Sequence, residues 1–283
     1  MDLSIITVTW NAKDNIVEQI DSVFKGCKDI TCEEIISDNG STDNTVELVK
    51  EKFPQTKIIE NKKNLGFGAA NNKGLELAQG EFILFLNPDM RVEEGSLDKM
   101  VVWMREHKDV GIASPKLVDK NGDFCSDASP RRFPKVCEQL LLILKLHHIF
   151  PKVLDSYLMK DFDENKEQEV DSVRGSFMLV RRELIEKLGW GFDPRYFFWF
   201  EDVDTCRECI KTGYKVMYIP IITCVDYVGQ SFKKRKTFWK QKNFTRSMLT
   251  YFKKWDPWYK WIWIAIFRPV GLLLAWINDL IRK

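Results

Sequence analysis

The chain has 283 residues, of which 45% are hydrophobic and 30% charged, and this composition excludes a disordered protein. The length allows one large domain or one domain with an appendage. The net charge of +2 hides a division, because residues 229–283 contain 13 basic and 2 acidic side chains while the remainder contains 30 basic and 39 acidic. A basic tail on an acidic body predicts an anionic surface as the partner of the tail.

The seven cysteines lie at positions 27, 32, 125, 137, 206, 209 and 224 and follow no disulfide framework. Cys206 and Cys209 form a C-x-x-C pair without a second pair at zinc spacing, so we expect reduced cytosolic thiols, with a metal or redox site as the alternative. The N-terminal apolar run is strand-like and has no basic flank, so we predict no signal peptide.

The first 115 residues alternate between short apolar runs and amphipathic segments. The apolar runs predict strands at residues 3–8, 34–37, 57–60, 82–86 and 110–114. The intervening segments predict helices at residues 16–24, 46–52, 69–78 and 93–106. This alternation favours an α/β fold, with a mostly parallel sheet and helices on both faces.

Beyond residue 115 the pattern changes. Asn121-Gly122 between two short runs predicts a hairpin, and residues 155–169 are polar and predict a loop. Residues 138–150 are apolar but too short to cross a bilayer. Further predictions are strands at 170–180, 214–219 and 222–225 and helices at 182–188 and 201–212.

The C-terminal segment is basic and aromatic, with six of the ten Trp residues after position 229. Residues 258–277 approach membrane-spanning length, but Lys260, Arg268 and Pro269 interrupt them. An Arg near the bilayer centre costs about 2.5–3.5 kcal/mol on insertion scales. We therefore favour a helix or helix pair in the membrane interface, with a spanning segment or packing on the body as alternatives.

Carboxylates follow two of the predicted strands. Asp38 precedes a turn at Asn39-Gly40, where it could accept hydrogen bonds from a base or ribose or simply close an Asx-turn. In Asn87-Pro88-Asp89 the proline stiffens the turn. Asp89 could then face Mg²⁺ or Mn²⁺, which takes one or two protein carboxylates plus substrate phosphates, or it could be a solvated turn residue.

A third acidic cluster, residues 201–204, follows five consecutive aromatic residues. Loss of solvation beside the aromatic rings predicts a raised carboxyl pKa suited to a general base, although acidic residues also favour a helix N-terminus. Residues 64–72 form a glycine-containing loop before a helix, where backbone N–H groups could approach a phosphate. Its spacing matches neither a dinucleotide-binding motif nor a P-loop.

Taken in order, these motifs resemble the inverting glycosyltransferases of family 2, which have the GT-A fold, and especially their rhamnosyltransferase-like branch. The resemblance runs from Leu3 to about Ser231. It is carried by residues 8–11, 37–43, 64–72, 87–89, 174–177 and 191–204.

The resemblance implies roles for individual residues. Asp202 would be the base that deprotonates the acceptor, supported by Glu201, although the assignment between the two stays open. Asp89 would bind the metal, and Asp226 replaces a histidine usual in this family and could bind it too. The residues implied in nucleotide-sugar binding are Thr9, Asn11, Asp38, Asn64, Gly66, Asn71, Asn87, Arg174 and Gly175.

The resemblance further implies transfer of a sugar, with L-rhamnose from dTDP-rhamnose as the first candidate, to a hydroxyl of a lipid-linked glycan in bacterial surface polysaccharide synthesis. We expect a glycosyltransferase domain at residues 1–230, with a nucleotide-binding half to about 115 and an acceptor-binding half after it. Residues 231–283 would attach it to the cytoplasmic face of the membrane. Nucleic acid is not an expected partner, and an oligomer is possible.

Alternatives remain open at this stage. A UDP-hexose, N-acetylhexosamine or galactofuranose transferase would share the fold. A sugar nucleotidyltransferase would need a basic glycine-rich loop near the N-terminus, which residues 5–15 lack. A non-catalytic glycan-binding protein is a further alternative, motivated by the departure at Asp226.

Overall fold

The computed structural model describes residues 1–227 and 236–281. The first half alternates strands and helices, as the apolar runs predict. Its elements are β1 (Leu3–Thr9), α1 (Lys13–Gly26), β2 (Cys32–Asp38), α2 (Thr45–Lys52), β3 (Lys57–Glu60), α3 (Phe67–Leu75), β4 (Phe82–Leu86), β5 (Met90–Val92), α4 (Ser96–Glu106) and β6 (Val110–Val118).

The second half contains more helix and fewer long strands. Its elements are α5 (Val136–Ile143), β7 (Gln168–Glu169), β8 (Phe177–Arg181), α6 (Arg182–Leu188), α7 (Glu201–Lys211), β9 (Lys215–Asp226), α8 (Thr237–Trp255) and α9 (Trp258–Ile281). The expected domain boundary near residue 230 lies outside the described residues.

The described strands form one sheet in the order β3-β2-β1-β4-β8-β6-β9-β5, with β7 paired to β9. The strands β3, β2, β1 and β4 are parallel, as the alternating pattern predicts. The sheet as a whole is mixed, because β8 lies antiparallel between β4 and β6. The parallel strands end at one edge, where ligands bind in open α/β sheets.

Two apolar layers cover the faces of the sheet. In β1, Leu3 and Ile5 pack with α4, while Ile6 faces the layer that contains residues of α6 and α7. Phe82 and Ile83 of β4 divide between the same two layers. Strands that are buried on both faces have continuous apolar sequences, and this is why they could be predicted from the sequence.

Some predicted elements differ from the structure. The strand β5 was not predicted because three residues give no periodic signal. The two late strands are one strand, β9, and the predicted strand at 170–180 is confined to Phe177–Arg181. The hairpin at Asn121-Gly122 is limited to a bridge between Val118 and Phe124. All seven cysteines are free thiols, as expected.

The helices α8 and α9 form an antiparallel pair. Thr237 at the start of α8 meets Asp279 near the end of α9, and Thr245 meets Arg268 midway. Helix α9 also packs against α5, where Gly271 approaches Ile143 so closely that a Cβ would lie 2.7 Å from the Ile143 side chain. By length and composition, α9 is the one helix among residues 1–227 and 236–281 that could cross a membrane.

Candidate active site

A cavity of about 490 Å³ opens at the carboxyl ends of β1, β2 and β4. Val8, Trp10 and Asn39 line it from the first two strands. Most of the residues predicted to form the site line the same cavity: Asn64, Asn87, Asp89, Arg174, Gly175, Glu201, Asp202 and Asp226. The structure therefore gathers residues from positions 8 to 226 of the chain around one opening.

Asp89 and Asp226 come together through a short antiparallel strand pair. Met90 of β5 is paired with Asp226 of β9, and the backbone N–H of Tyr227 donates to the carbonyl of Asp89 at 3.1 Å. Both aspartates are largely buried and line the cavity. Carboxylate oxygens suit Mg²⁺ or Mn²⁺, which typically takes one or two of them and completes its shell with phosphate and water.

Among the described residues, no three His, Cys, Asp or Glu side chains are grouped as a complete metal site. Asp89 and Asp226 are two oxygen donors that could hold a divalent cation whose other ligands come from phosphate and water. The pairing of β5 with β9 places Asp226 next to Asp89 at this wall of the cavity.

Asp202 is connected to the Asn87-Pro88-Asp89 turn by two hydrogen bonds through the residues just before β8. The N–H of Asn87 donates to the carbonyl of Ser176 at 2.9 Å. The N–H of the adjacent Gly175 donates to Oδ2 of Asp202 at 3.2 Å. Because the pairing of Leu86 with Phe177 fixes this register, the acidic turn and Asp202 are held at the same edge.

Glu201 and Asp202 have different environments although they are adjacent. Asp202 is half-buried, and its Oδ1 accepts a hydrogen bond from the N–H of Val203 at 2.8 Å. Glu201 is only 4% exposed, and its Oε2 has no hydrogen-bond partner within the described structure. Burial, followed by the charge of Asp202, raises the pKa of Glu201 well above its usual range. Glu201 is thus the carboxyl group that the aromatic surroundings desolvate.

The residues before Glu201 have unusual backbone angles. Trp199 and Phe200 are both left-handed, with φ of 65° and 68°. This conformation costs of order 1–3 kcal/mol for a residue other than glycine and persists only where the surroundings enforce it. The turn directs Phe198 and Trp199 to the cavity and starts α7 at Glu201.

Asp38 is placed beside the cavity but does not line it. Its Oδ1 accepts from the hydroxyls of Thr9 and Ser41, and its Oδ2 accepts from the N–H groups of Gly40 and Ser41. These four bonds use the acceptor positions of a carboxylate. The arrangement corresponds to the turn alternative, so contact between Asp38 and a base stays a prediction, as does the role of Thr9.

Asn11 also lies outside the cavity, where it joins two loops. Its Oδ1 accepts from the N–H of Thr42 at 2.8 Å, and its own N–H donates to Ser41 at the same distance. Asn71 is buried in α3 and donates to the carbonyl of Phe67 at 3.1 Å, while its Oδ1 has no partner among the described residues. The structure therefore gives both residues contacts within the protein.

The loop from Asn64 to Gly66 reaches the cavity at Asn64. Gly66 has φ of +89°, and a Cβ there would lie 2.3 Å from the carbonyl oxygen of Phe197. Only glycine fits this close approach. Asn64 supports the turn by accepting from the N–H of Gly66 at 2.9 Å. The loop is thus packed against the aromatic segment before Glu201.

Sequence reasoning did not include several residues that line the cavity. Trp10 and Asn39 lie within the motifs used above, two residues past the predicted strand ends at 8 and 37, and this position is a signal that the sequence offers. Asp119 and Asp127 come from the loop between β6 and α5. Arg174 donates a hydrogen bond to the carbonyl of Asp127. No local pattern linked that loop to the strand ends.

Comparison with known proteins gives this site a context. The model of the family described as "Glycosyl transferase family 2" matches residues 4–189. An N-acetylglucosaminyl-diphospho-decaprenol L-rhamnosyltransferase of Mycobacterium tuberculosis is 29% identical over 209 residues, which are 70% of this chain and 67% of that protein. Rhamnosyltransferase WbbL of Escherichia coli is 28% identical over 63% of this chain and 68% of its own.

Solved structures share the fold at low identity. The mannosyltransferase PcManGT of Pyrobaculum calidifontis, in complex with GDP-Man and Mn²⁺, has a TM-score of 0.60 and 18% identity, covering 99% of this chain and 74% of its own. S. aureus TarS 1–349 with UDP-GlcNAc has a TM-score of 0.58 and 17% identity, covering 88% and 65%. The fold is therefore GT-A, and because the family model covers well over half of the chain, this protein belongs to glycosyl transferase family 2.

Proposed function

We propose that this chain is an inverting hexosyltransferase that moves a sugar from a nucleotide diphosphate to a hydroxyl group of a lipid-linked glycan. L-Rhamnose from dTDP-rhamnose is the first candidate donor, because the two relatives described above carry rhamnosyltransferase in their names. The observation that carries the proposal is the hydrogen-bonded link from Asn87 through Ser176 and Gly175 to Asp202. It supports one site for both the leaving group and the base.

Asp202 is the proposed base. It removes the proton of the acceptor hydroxyl as that oxygen bonds to the anomeric carbon, and the bond from this carbon to the diphosphate breaks on the opposite side. The proton ends on Asp202, and the bonding electrons leave with the nucleotide diphosphate. The backbone N–H groups of Gly175 and Val203 donate to its two oxygens and fix the orientation of the carboxyl group.

Glu201 has a supporting role in this proposal. Its raised pKa favours a protonated, neutral side chain directly beside the base. A neutral neighbour does not repel the charge of Asp202, and its hydroxyl hydrogen can be donated within the cavity. The difference in burial between the two residues therefore favours Asp202 over Glu201 as the base.

Asp89 and Asp226 are the proposed ligands of Mg²⁺ or Mn²⁺. When bound, such a cation would neutralise negative charge on the departing diphosphate. Arg174 and the backbone of Gly175 lie on the same cavity and are proposed to contact the sugar or its phosphates. The fold neighbour with GDP-Man and Mn²⁺ supports a divalent cation without deciding which one.

A membrane-bound acceptor is supported by the surface of α9. Two polar side chains from its middle and end contact α8: Arg268 donates to the hydroxyl of Thr245, and Asp279 accepts from the N–H groups of Thr237 and Phe238. Lys260 in the first turn is exposed and pairs with Asp256. The large exposed side chains are otherwise apolar, namely Trp258, Tyr259, Trp263, Ile266, Val270, Leu273, Leu274, Trp276, Ile277, Leu280 and Ile281.

This arrangement is opposite to that of a helix facing water. An apolar outer face rich in Trp, next to a strongly basic segment, suits the interface of an anionic bilayer. Packing of α9 along α8 and α5 favours a helix that lies on the membrane over one that crosses it alone. We therefore propose a peripheral enzyme at the cytoplasmic face.

The function is tested first by thermal shift with dTDP-, UDP- and GDP-sugars, with and without Mn²⁺, because a bound ligand raises stability by mass action. The stabilising donor is then used in a transfer assay with a lipid diphosphate-linked sugar. Asp202→Asn should keep the melting temperature and reduce turnover about 10²–10⁴-fold. Near-normal turnover would remove Asp202 from the role of base, and donor binding without transfer by the wild type would favour a glycan-binding protein.

A further inference from the structure

Helix α8 contacts the aromatic segment that leads into the proposed base. The hydroxyl of Ser247 donates to the carbonyl of Phe198 at 2.7 Å. The ring of Trp199 packs against Trp239 and Phe244, with centroid distances of 6.2 and 6.0 Å. Since Phe198 and Trp199 line the cavity, α8 supports part of the cavity wall from behind.

A second set of contacts joins the end of α8 to α7. Nζ of Lys254 lies 2.6 Å from Asp204, 2.8 Å from Glu208 and 3.3 Å from Asp193. The indole N–H of Trp255 donates to the other oxygen of Asp204 at 2.6 Å. Lys254 is 13% exposed and Asp204 is fully buried, so solvent screens this network little.

The two sets of contacts flank the left-handed residues Trp199 and Phe200. Such conformations persist only where the surroundings over-determine them, and the ring of Phe200 is itself packed against Phe244 and Tyr251 of α8. Asp202 lies between this strained turn and the buried Asp204. Its position therefore depends on contacts supplied by a helix about fifty residues further along the chain.

We propose that α8 is part of the catalytic unit and that Lys254 and Ser247 are positioning residues, which hold the aromatic segment and the first turn of α7 so that Asp202 faces the acceptor. The residues beyond 236 would thus serve catalysis, by positioning Asp202, as well as membrane attachment. This inference rests on the proposed function for its catalytic consequence, while its structural part can be measured without any substrate.

The test compares Lys254→Met, Lys254→Arg and Ser247→Ala in the full chain. Arg246→Gln serves as the matched control, because Arg246 lies on the exposed face of α8. Lys254→Met leaves the buried Asp204 without its cation and could prevent folding, so Ser247→Ala supplies a milder change that removes one hydrogen bond. Amide hydrogen exchange is measured on peptides covering residues 196–206, and turnover is measured with the donor that stabilises the wild type.

Exchange in this segment should rise at least about tenfold in Ser247→Ala and Lys254→Met, with Lys254→Arg closer to the wild type and Arg246→Gln unchanged. The kcat should fall about tenfold or more while the donor KM stays within about twofold, because positioning of the base is impaired and donor binding is not. Unchanged exchange in Ser247→Ala would overturn the inference, as would raised exchange with unchanged kcat. If the wild type transfers no sugar, the proposed function fails, while the exchange data still decide whether α8 holds this segment.

Discussion

The outer face of α9 offers the sharpest test of membrane attachment. Leu273 and Trp276 are 54% and 51% exposed, and both lie on the face turned away from α8. We consider the double substitution Leu273→Glu and Trp276→Glu. Both positions point away from the protein, so the helix pair should remain folded, as surface changes usually alter stability little.

The expected loss of binding can be estimated from this exposure. Full burial of a large apolar side chain contributes about 1.5–3 kcal/mol, so the exposed half of each contributes about 1 kcal/mol in a bilayer. A charge near an anionic surface changes binding by about 1 kcal/mol, and two new carboxylates are repelled by that amount each. The total of about 4 kcal/mol corresponds to a loss of nearly three orders of magnitude in partitioning.

The assay is co-sedimentation with vesicles of phosphatidylcholine and phosphatidylglycerol. The wild type should sediment with the vesicles, and the double variant should stay in the supernatant. Val102→Glu is the control, because Val102 is 50% exposed on α4, a helix packed on the sheet. If the double variant sediments as the wild type does, or if the wild type does not bind anionic vesicles, α9 is not a membrane-binding surface.

Two further predictions concern single carboxylates. Asp226→Ala should weaken the Mn²⁺-dependent part of nucleotide diphosphate binding, measured by calorimetry, while Asp226→His retains it; equal binding by all three proteins would contradict a ligand role. Burial raises the pKa of Glu34 to about 8, which outweighs its hydrogen bonds with Thr7 and Gln19. A carboxyl group whose pKa is raised on folding makes its full contribution to stability below about pH 4.5. This contribution is lost as the pH rises to about 8. The free energy of unfolding should therefore fall by up to about 1.4 kcal/mol per pH unit between these two pH values. Glu34→Gln should flatten this dependence in denaturant titrations, and an unchanged slope would show that Glu34 titrates normally.

The sequence could predict one half of the site because strand ends are local features. Asp89 follows a strand buried on both faces, and its apolar run is unmistakable. The loop at Gly66 and the acidic first turn of α7 are likewise predicted from residues that are adjacent in the sequence. What places Glu201 and Asp202 at the same edge is the antiparallel insertion of β8, which no periodic pattern announces.

Other parts of the site depend on contacts that are distant in the chain. Asp226 reaches Asp89 through β5, a strand of three residues. Asp127 lines the cavity from a polar loop, and the sequence of this loop contains no motif that predicts the position. Burial raises the pKa of Glu201, and sequence alone could not distinguish this residue from its neighbour Asp202, because burial depends on how α7 packs.

The C-terminal segment shows how composition differs from placement. In the sequence, Arg268 is a charged residue within an apolar segment, and its burial in a bilayer would cost free energy. In the structure it turns towards α8 and donates to the hydroxyl of Thr245, so the middle of the outward face carries no such charge, and the exposed Lys260 lies in the first turn of the helix. The same helix pair presents an apolar surface on one side and Lys254 to α7 on the other.

The helix pair of α8 and α9 thus has two proposed roles, which a deletion of the whole segment cannot separate. Deleting residues 232–283 is expected to release the protein from membranes, but it would also expose the apolar cluster of Tyr196, Phe200 and Ile143 and leave Asp204 without Lys254. Loss of activity in that truncation would therefore say nothing about membrane attachment. Substitutions on the outer face of α9 should separate sedimentation from turnover on a short-chain soluble acceptor, whereas Ser247→Ala should reduce turnover and leave sedimentation intact. If sedimentation and turnover fell together in both sets of variants, this result would contradict the assignment of one function to each side of the helix pair.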